Sequence, residues 1–247
     1  MTFLRTTLLG VSLLFLSIMQ APGQISSPSV PTESGRSSLS SNWFDDLEVL
    51  NGKVENVNYR GTRAIHFLPS PETRSSDASM LAIPRRSDFQ DGIIEADVAG
   101  VPREDAPADA RGFIGISFHV QPHGDKYEDV YLRPTNARAD DQLRRNHSVQ
   151  YTSEPEYPWY RLRKESPGVY ESYADLQAGA WIHLKIVVDG ADAALYVNHS
   201  EQPCLIVKDL KLGKSRGQIA LWAHWSTDAY FSNLTVTPAA AKMSSAK

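Results

Sequence analysis

The chain has a single cysteine, Cys204, in 247 residues. An intrachain disulfide and a thiolate metal cluster are therefore both excluded. A cationic excess is also missing: 25 basic residues stand against 29 acidic ones, a net charge of −4. Proteins that hold nucleic acid through its phosphates carry a basic field, so nucleic acid is not an expected partner. No long segment repeats its apolar residues with the 3.6-residue period of a helix. Neither a glycine-rich phosphate loop nor a Gly-x-Ser-x-Gly elbow occurs. The seven histidines fall into no zinc spacing, so no metal site is expected from them. The hydrophobic content of 41% is too high for a mostly disordered chain and is enough for a large core.

The chain's most continuous apolar run, Leu8 to Met19, has twelve residues. A bilayer span takes about 20, so this run does not cross a membrane. It follows Arg5 and precedes Ala21-Pro22-Gly23, small residues suited to cleavage, so residues 1–23 are expected to be a secretory signal peptide. Residues 24–41 are dense in Ser and Pro and read as a linker. Residues 238–247 read as a loose tail. The folded domain is then 42–237, with no membrane span left after cleavage. Export without a disulfide favours a secreted or periplasmic protein of a bacterium.

Within 42–237 the apolar residues alternate. Ile94, Ala96 and Val98 share one face, and Glu95 and Asp97 the other. Ile114, Ile116, Phe118 and Val120 oppose Phe113, Gly115, Ser117 and His119, while Ile182, Leu184, Ile186 and Val188 oppose Trp181, His183 and Lys185. Period two is the mark of half-buried strands. Asp189-Gly190 reads as a hairpin turn of type I′. Roughly ten to twelve short strands are expected, which indicates an all-β, antiparallel β-sandwich or jelly roll.

The stretch Tyr127–Asp175 is unusual. It interleaves six arginines with tyrosines, Trp159 and several carboxylates. Aromatic faces cover the apolar side of a pyranose, and Arg, Asn, Gln and Glu hydrogen-bond hydroxyl pairs. The same guanidinium groups suit an acidic sugar. Arg–carboxylate pairs could equally staple a long insertion shut, so both readings stand for each residue. Parity places Tyr127, Asp129, Tyr131 and Arg133 on one face and turns Val130 and Leu132 to the core. Glu128 then points inward, either paired with an arginine or perturbed in pKa. Glu171 shares a face with Tyr173 and Asp175, and Trp222 follows Leu221 onto the non-core face. The expected ligand groove is lined by His119, Tyr131, Arg133, Asn136, Gln150, Tyr151, Trp159, Arg163, Glu171 and Trp222.

Several motifs resemble a known family in order and spacing. Ser87 to Val98 (SDFQDGIIEADV) is similar to the entry strand of concanavalin A-like lectin/glucanase domains. Ala180 to Val188 (AWIHLKIVV), Ala194 to Asn198 (ALYVN) and Gly217 to Trp222 (GQIALW) with Ala229 to Leu234 (AYFSNL) resemble their later strands. The likeness covers roughly 43–237 and is nearest the laminin-G-like branch and the related 3-keto-disaccharide hydrolase-like bacterial domains. It implies a concanavalin A-like jelly roll with an extracytoplasmic role, its glycan on a concave sheet. It also leaves structural calcium open, on Asp189, Asp192 or Asp209, with no other cofactor implied. The catalytic Glu-x-Asp-x-x-Glu of laminarinase-type relatives is broken here, because Glu95-Ala96-Asp97 continues as Val98-Ala99-Gly100. The expected function is therefore carbohydrate binding, to an oligo- or polysaccharide. The alternatives are a glycoside hydrolase or polysaccharide lyase with Glu128 or Glu171 as acid/base, and a non-glycan adhesion module.

Overall fold

The computed structural model describes residues 43–240. The expected signal peptide and linker, and most of the expected tail, lie outside the described residues. Fourteen strands run in chain order: β1 Leu47–Leu50, β2 Gly52–Tyr59, β3 Thr62–Pro69, β4 Ser79–Pro84, β5 Gly92–Pro102, β6 Ile114–Val120, β7 Tyr127–Leu132, β8 Val149–Glu154, β9 Glu171–Ser172, β10 Ile182–Asp189, β11 Asp192–Val197, β12 Leu205–Val207, β13 Gln218–His224 and β14 Thr227–Pro238. Four short helices interrupt them: α1 Pro71–Ser75, α2 Pro134–Ala137, α3 Gln142–Asn146 and α4 Trp159–Glu165.

The strands form two antiparallel seven-stranded sheets. One has the order β1-β4-β13-β6-β7-β8-β9, the other β12-β11-β10-β5-β14-β3-β2. They stack as a sandwich because each alternating strand has one apolar face to bury. Ile94, Ala96 and Val98 of β5 and Ile182, Leu184, Ile186 and Val188 of β10 enter the common core. From the first sheet Ile116, Val130, Leu132 and Leu221 meet them there. The expected all-β jelly-roll class is the one observed.

Two local expectations change. The β10–β11 ladder closes at Asp189↔Asp192, so the turn is Gly190-Ala191 rather than Asp189-Gly190. Gly190 takes φ 67° while Ala191 has no positive φ, the pattern of a glycine-first two-residue hairpin rather than type I′. The second change lies in β6. Val120 pairs with Gln218 and Ser117 with Ala220, so Phe118 and His119 together face Ile219. This bulge, with His119 at φ 52°, inserts one residue and exchanges the two faces beyond it.

Strands β6 and β7 are buried along their whole length, on both faces, as is β8 up to Ser153. An antiparallel sheet of a small domain commonly leaves one face to water. Here the second face carries its own apolar cluster, which includes Leu81, Val120, Tyr127, Tyr131, Ala220 and Trp222. The segment between β7 and β9, read as a long insertion, supplies α2, α3, β8 and α4.

Candidate functional site

A groove of about 830 Å³ opens on that second face of the first sheet. Its floor is aromatic. Tyr131 of β7 and Trp222 of β13 stack with centroids 4.8 Å apart and planes 26° off parallel. Gly115 of β6 lies between their strands, opposite both residues in register. A Cβ there would stand 2.2 Å from the carbonyl oxygen of Val130 and 2.6 Å from Tyr131 Cα. The close approach of β7 thus requires a glycine. Phe113, just before β6, meets the Tyr131 ring edge-on at 6.3 Å.

Arg133 closes one end of the floor. Its Nη2 donates to Tyr131 Oη at 2.9 Å and to Gln150 Oε1 at 3.1 Å. Its Nη1 donates to the carbonyl of His147 at 3.2 Å and to Glu171 Oε1 at 3.4 Å. Glu171 also accepts from Arg163, with Nε to Oε2 at 2.9 Å and a short contact from Nη2. His147 Nε2 lies 3.6 Å from the same carboxylate. One buried anion therefore anchors two guanidinium groups. Burial holds the His147 pKa below the ordinary histidine range, with Arg163 and Arg133 adding to the effect against the pull of Glu171.

Trp159 of α4 forms a wall and is 42% exposed. Arg163 lies over its ring at 4.7 Å and Arg133 at 5.8 Å, within the range of a cation–π contact. Asn136 of α2 donates to the His147 carbonyl at 3.2 Å and accepts from Arg144 at 3.4 Å.

Beneath the floor lies Asp129. Ser117 donates to its Oδ1 at 3.1 Å, and its Oδ2 has no hydrogen-bond partner among the described residues. Burial raises its pKa well above the carboxylate range, and Glu154 adds to the rise. Glu154 lines the groove, and its own pKa is raised by burial. Burial likewise pushes the Tyr127 and Tyr131 hydroxyls upward, so both stay protonated donors at neutral pH.

The structure brings Tyr131, Arg133, Asn136, Trp159, Arg163 and Trp222 together on the groove. Gln150 and Glu171 lie underneath and hold the arginines in place. His119 and Tyr151 are elsewhere, which corrects two of the expected groove positions. The bulge turns His119 inward, where it stacks near Phe89 and hydrogen-bonds the Gln90 carbonyl at 2.8 Å. Tyr151 follows Gln150 directly and so points to the opposite face, into the core.

Glu128, one of the two candidate acids, is also on the core side. It accepts from Tyr151 Oη at 2.6 Å and from the Leu212 amide at 2.7 Å, and burial raises its pKa. Among the described residues no arginine pairs with it, and it does not line the groove. Glu171, the other candidate, is fully engaged by cations. The residues missed from the sequence include Phe113, Tyr127, Arg111, Arg144, His147 and Glu154. Tyr127 shares the parity of Tyr131 and was within reach of that rule. Arg111 and Phe113 sit in the β5–β6 connection, where no period speaks.

Two of the three candidate calcium ligands are engaged by lysines. Asp192 pairs with Lys208 at 2.8 Å, and Asp209 pairs with Lys211 and accepts from Tyr170 at 2.7 Å. Among the described residues no group of three or more His, Cys, Asp or Glu side chains could hold a metal. Nor is any described helix long and apolar enough to cross a membrane.

No family model and no curated protein sequence matches the chain. Solved structures do match. The carbohydrate-binding module CBM66 from Bacillus subtilis superposes with a TM-score of 0.53 at 14% identity, over 78% of this chain and 95% of that one. A Bacillus subtilis protein of unknown function with a galectin-like fold gives 0.51 at 14% identity, over 80% and 91%. The exoplasmic/lumenal domain of VIP36, in its Ca2+/Man3GlcNAc-bound form, gives 0.50 at 8% identity, over 79% and 84%. Likeness at such identity speaks to fold. The chain shares the fold of these structures, an antiparallel jelly-roll sandwich like the galectin-like one.

Proposed function

We propose that this protein binds a glycan in the groove of its first sheet, outside the cytoplasm, without cleaving it. The observation that carries this reading is the Tyr131–Trp222 platform edged by fixed polar donors. A pyranose in the groove meets the edges of that stacked pair and the exposed ring of Trp159 with its C–H face, while Asn136, Arg144 and the Tyr127 hydroxyl meet its hydroxyl groups. Two fold neighbours, a carbohydrate-binding module and a glycan-bound exoplasmic/lumenal domain, support it. The leader-like sequence of residues 1–23 supports the location.

The test is a glycan array probed with the full-length protein, followed by titration of any hit. Trp222→Ala is expected to abolish binding while the fold is retained, as judged by circular dichroism. A hit whose affinity ignores Trp222→Ala would place the site elsewhere and sink the reading.

One observation favours hydrolysis as a second reading. Glu154 lines the groove and Asp129 lies beneath its floor on the neighbouring strand, and burial raises the pKa of each. Glycoside hydrolysis needs a pair of carboxyl groups, one of them protonated. Release of reducing ends from a bound glycan, lost in Asp129→Asn with binding retained, would establish it in place of simple binding.

A further inference from the structure

The arginines of this chain are mostly paired with carboxylates, as Arg74 is with Asp105, Arg103 with Asp228, Arg138 with Asp175 and Arg216 with Asp88. In the groove Arg133 and Arg163 follow the rule, sharing Glu171. Arg111 and Arg144 break it. Both line the groove, and neither has an ion pair among the described residues. Arg111 spends only Nη1, on the carbonyls of Ala108 and Ala110 at 2.9 and 2.8 Å. Arg144 offers Nη2 to Asn136 Oδ1 at 3.4 Å, and this is the one hydrogen bond of its guanidinium among the described residues.

We propose that Arg111 and Arg144 form a subsite for the anionic group of an acidic sugar, a carboxylate or a sulfate, so that the glycan bound in this groove is charged. The proposal rests on the glycan-binding reading of the same groove and names its ligand class. Four guanidinium groups converge at this end of the groove, and the acids beside them are Glu171, already shared by Arg133 and Arg163, and Asp109. Asp109 acts on Arg111 across space without forming an ion pair, and Arg144 and Arg133 repel it. Holding like charges together costs free energy that an incoming anion would recover. Each free guanidinium edge presents paired N–H donors, which match two oxygens of a carboxylate or sulfate.

The neighbouring platform decides against a bare inorganic anion as the ligand. Asn136 holds Arg144 at one end of a groove whose floor is Tyr131 and Trp222. A ring stacked there would place a substituent toward Arg144 and Arg111, the layout suited to a uronate or a sulfated pyranose. With a net charge of −4 the chain has no overall positive charge to draw polyanions in general.

The experiment compares matched oligosaccharides by calorimetry with the full-length protein. A uronate series is set against its carboxyl-reduced counterparts, and a sulfated series against its desulfated ones; the two arms separate the two sources of charge. The charged member of one pair is expected to bind about 10- to 100-fold more tightly than its neutral partner, the worth of charge-assisted hydrogen bonds. That gap should narrow as salt is raised. Arg144→Gln, on an exposed helix, should weaken the charged member far more than the neutral one and so close most of the gap. Arg111→Gln should do the same, and thermal midpoints identify any variant that fails to fold. Neutral glycans binding as tightly as charged ones, or Arg144→Gln weakening both members equally, would overturn the anionic subsite and leave glycan binding standing. If no glycan of either kind binds, the glycan reading and the subsite fall together.

Discussion

Asp129 is a carboxyl group kept almost wholly from water, with Ser117 on one oxygen and none of the described residues on the other. Burial raises its pKa, so the folded protein keeps a proton that the unfolded chain releases above about pH 4. The stability contributed by that proton is complete below the ordinary aspartate value and is lost as pH rises through the folded one. Asp129→Asn keeps the shape and removes the titration. Relative to this variant, the wild type is expected to lose stability steadily from pH 4 upward, ending about 1–3 kcal/mol less stable at neutral pH. Urea unfolding across that range is the measurement, and parallel curves for the two proteins would contradict the assignment. Glu171 presents the opposite case, an anion already shared by Arg133, Arg163 and His147. Replacing it in Glu171→Gln leaves the buried Arg133 without its anion, and should destabilise the fold by about 3 kcal/mol or more. A variant of wild-type stability would mean that the cluster is not held by this carboxylate.

Among the elements, β6 bears most directly on the groove. Its Gly115 lets β7 come close enough for Tyr131 to lie on Trp222. Gly115→Ala would set a methyl against the β7 backbone, which has no flexible side chain to move aside. Its expected cost is about 1–3 kcal/mol, the range for overpacking, with loss of any ligand that depends on the stacked pair. Trp222 fluorescence quenching by ligand would register that loss, and intact quenching would show that the floor tolerates the methyl. The same strand marks where sequence reading stops. Alternation gave the core faces of β5 and β10 correctly, since Ile94, Ala96 and Val98 and their β10 partners all reach the core. It placed Ile114 and Ile116 correctly and then failed at His119, because a bulge adds one residue without changing the pattern of residue types around it. Gln150 and Tyr151 show a limit of another kind. Adjacent strand residues face opposite ways, so only one of them could face the groove side. Arg133, Trp159 and Trp222 were legible as groove residues because strand parity or a clustered composition marked them. Arg111 was not, since its position depends on a connection whose path the local sequence does not encode.

For the whole molecule, one core joins the two sheets. Phe231 lies on β14, between β3 and β5, and is fully buried. Its ring meets Phe67 at 5.0 Å, and the cluster that contains both also contains Ile116, Leu132 and Leu221 of the groove sheet. The pairings that join the hairpins of the second sheet are distant in sequence, as in Val98↔Phe231 between β5 and β14. No contiguous piece of chain can complete either sheet, because β13 of the groove sheet lies beside β4 and β6 and comes late in the chain. The sheets should therefore lose their structure together. Phe231→Ala tests this, since it removes a core ring from one sheet at a cost of about 3–5 kcal/mol. Trp222 reports on the other sheet, and in a variant whose other tryptophans are replaced by Phe its fluorescence can be followed alone. Its urea midpoint is expected to fall by the same amount as the midpoint of the far-ultraviolet circular dichroism signal. Were Trp222 to keep its original midpoint while the circular dichroism transition split in two, the groove sheet would be an independent folding unit. Ligand-site variants would then have to be judged against that sheet's own stability. With a single shared transition, any substitution in the second sheet that keeps the protein folded should leave the groove's affinity intact, because cooperative unfolding lowers the fraction folded without reshaping the floor.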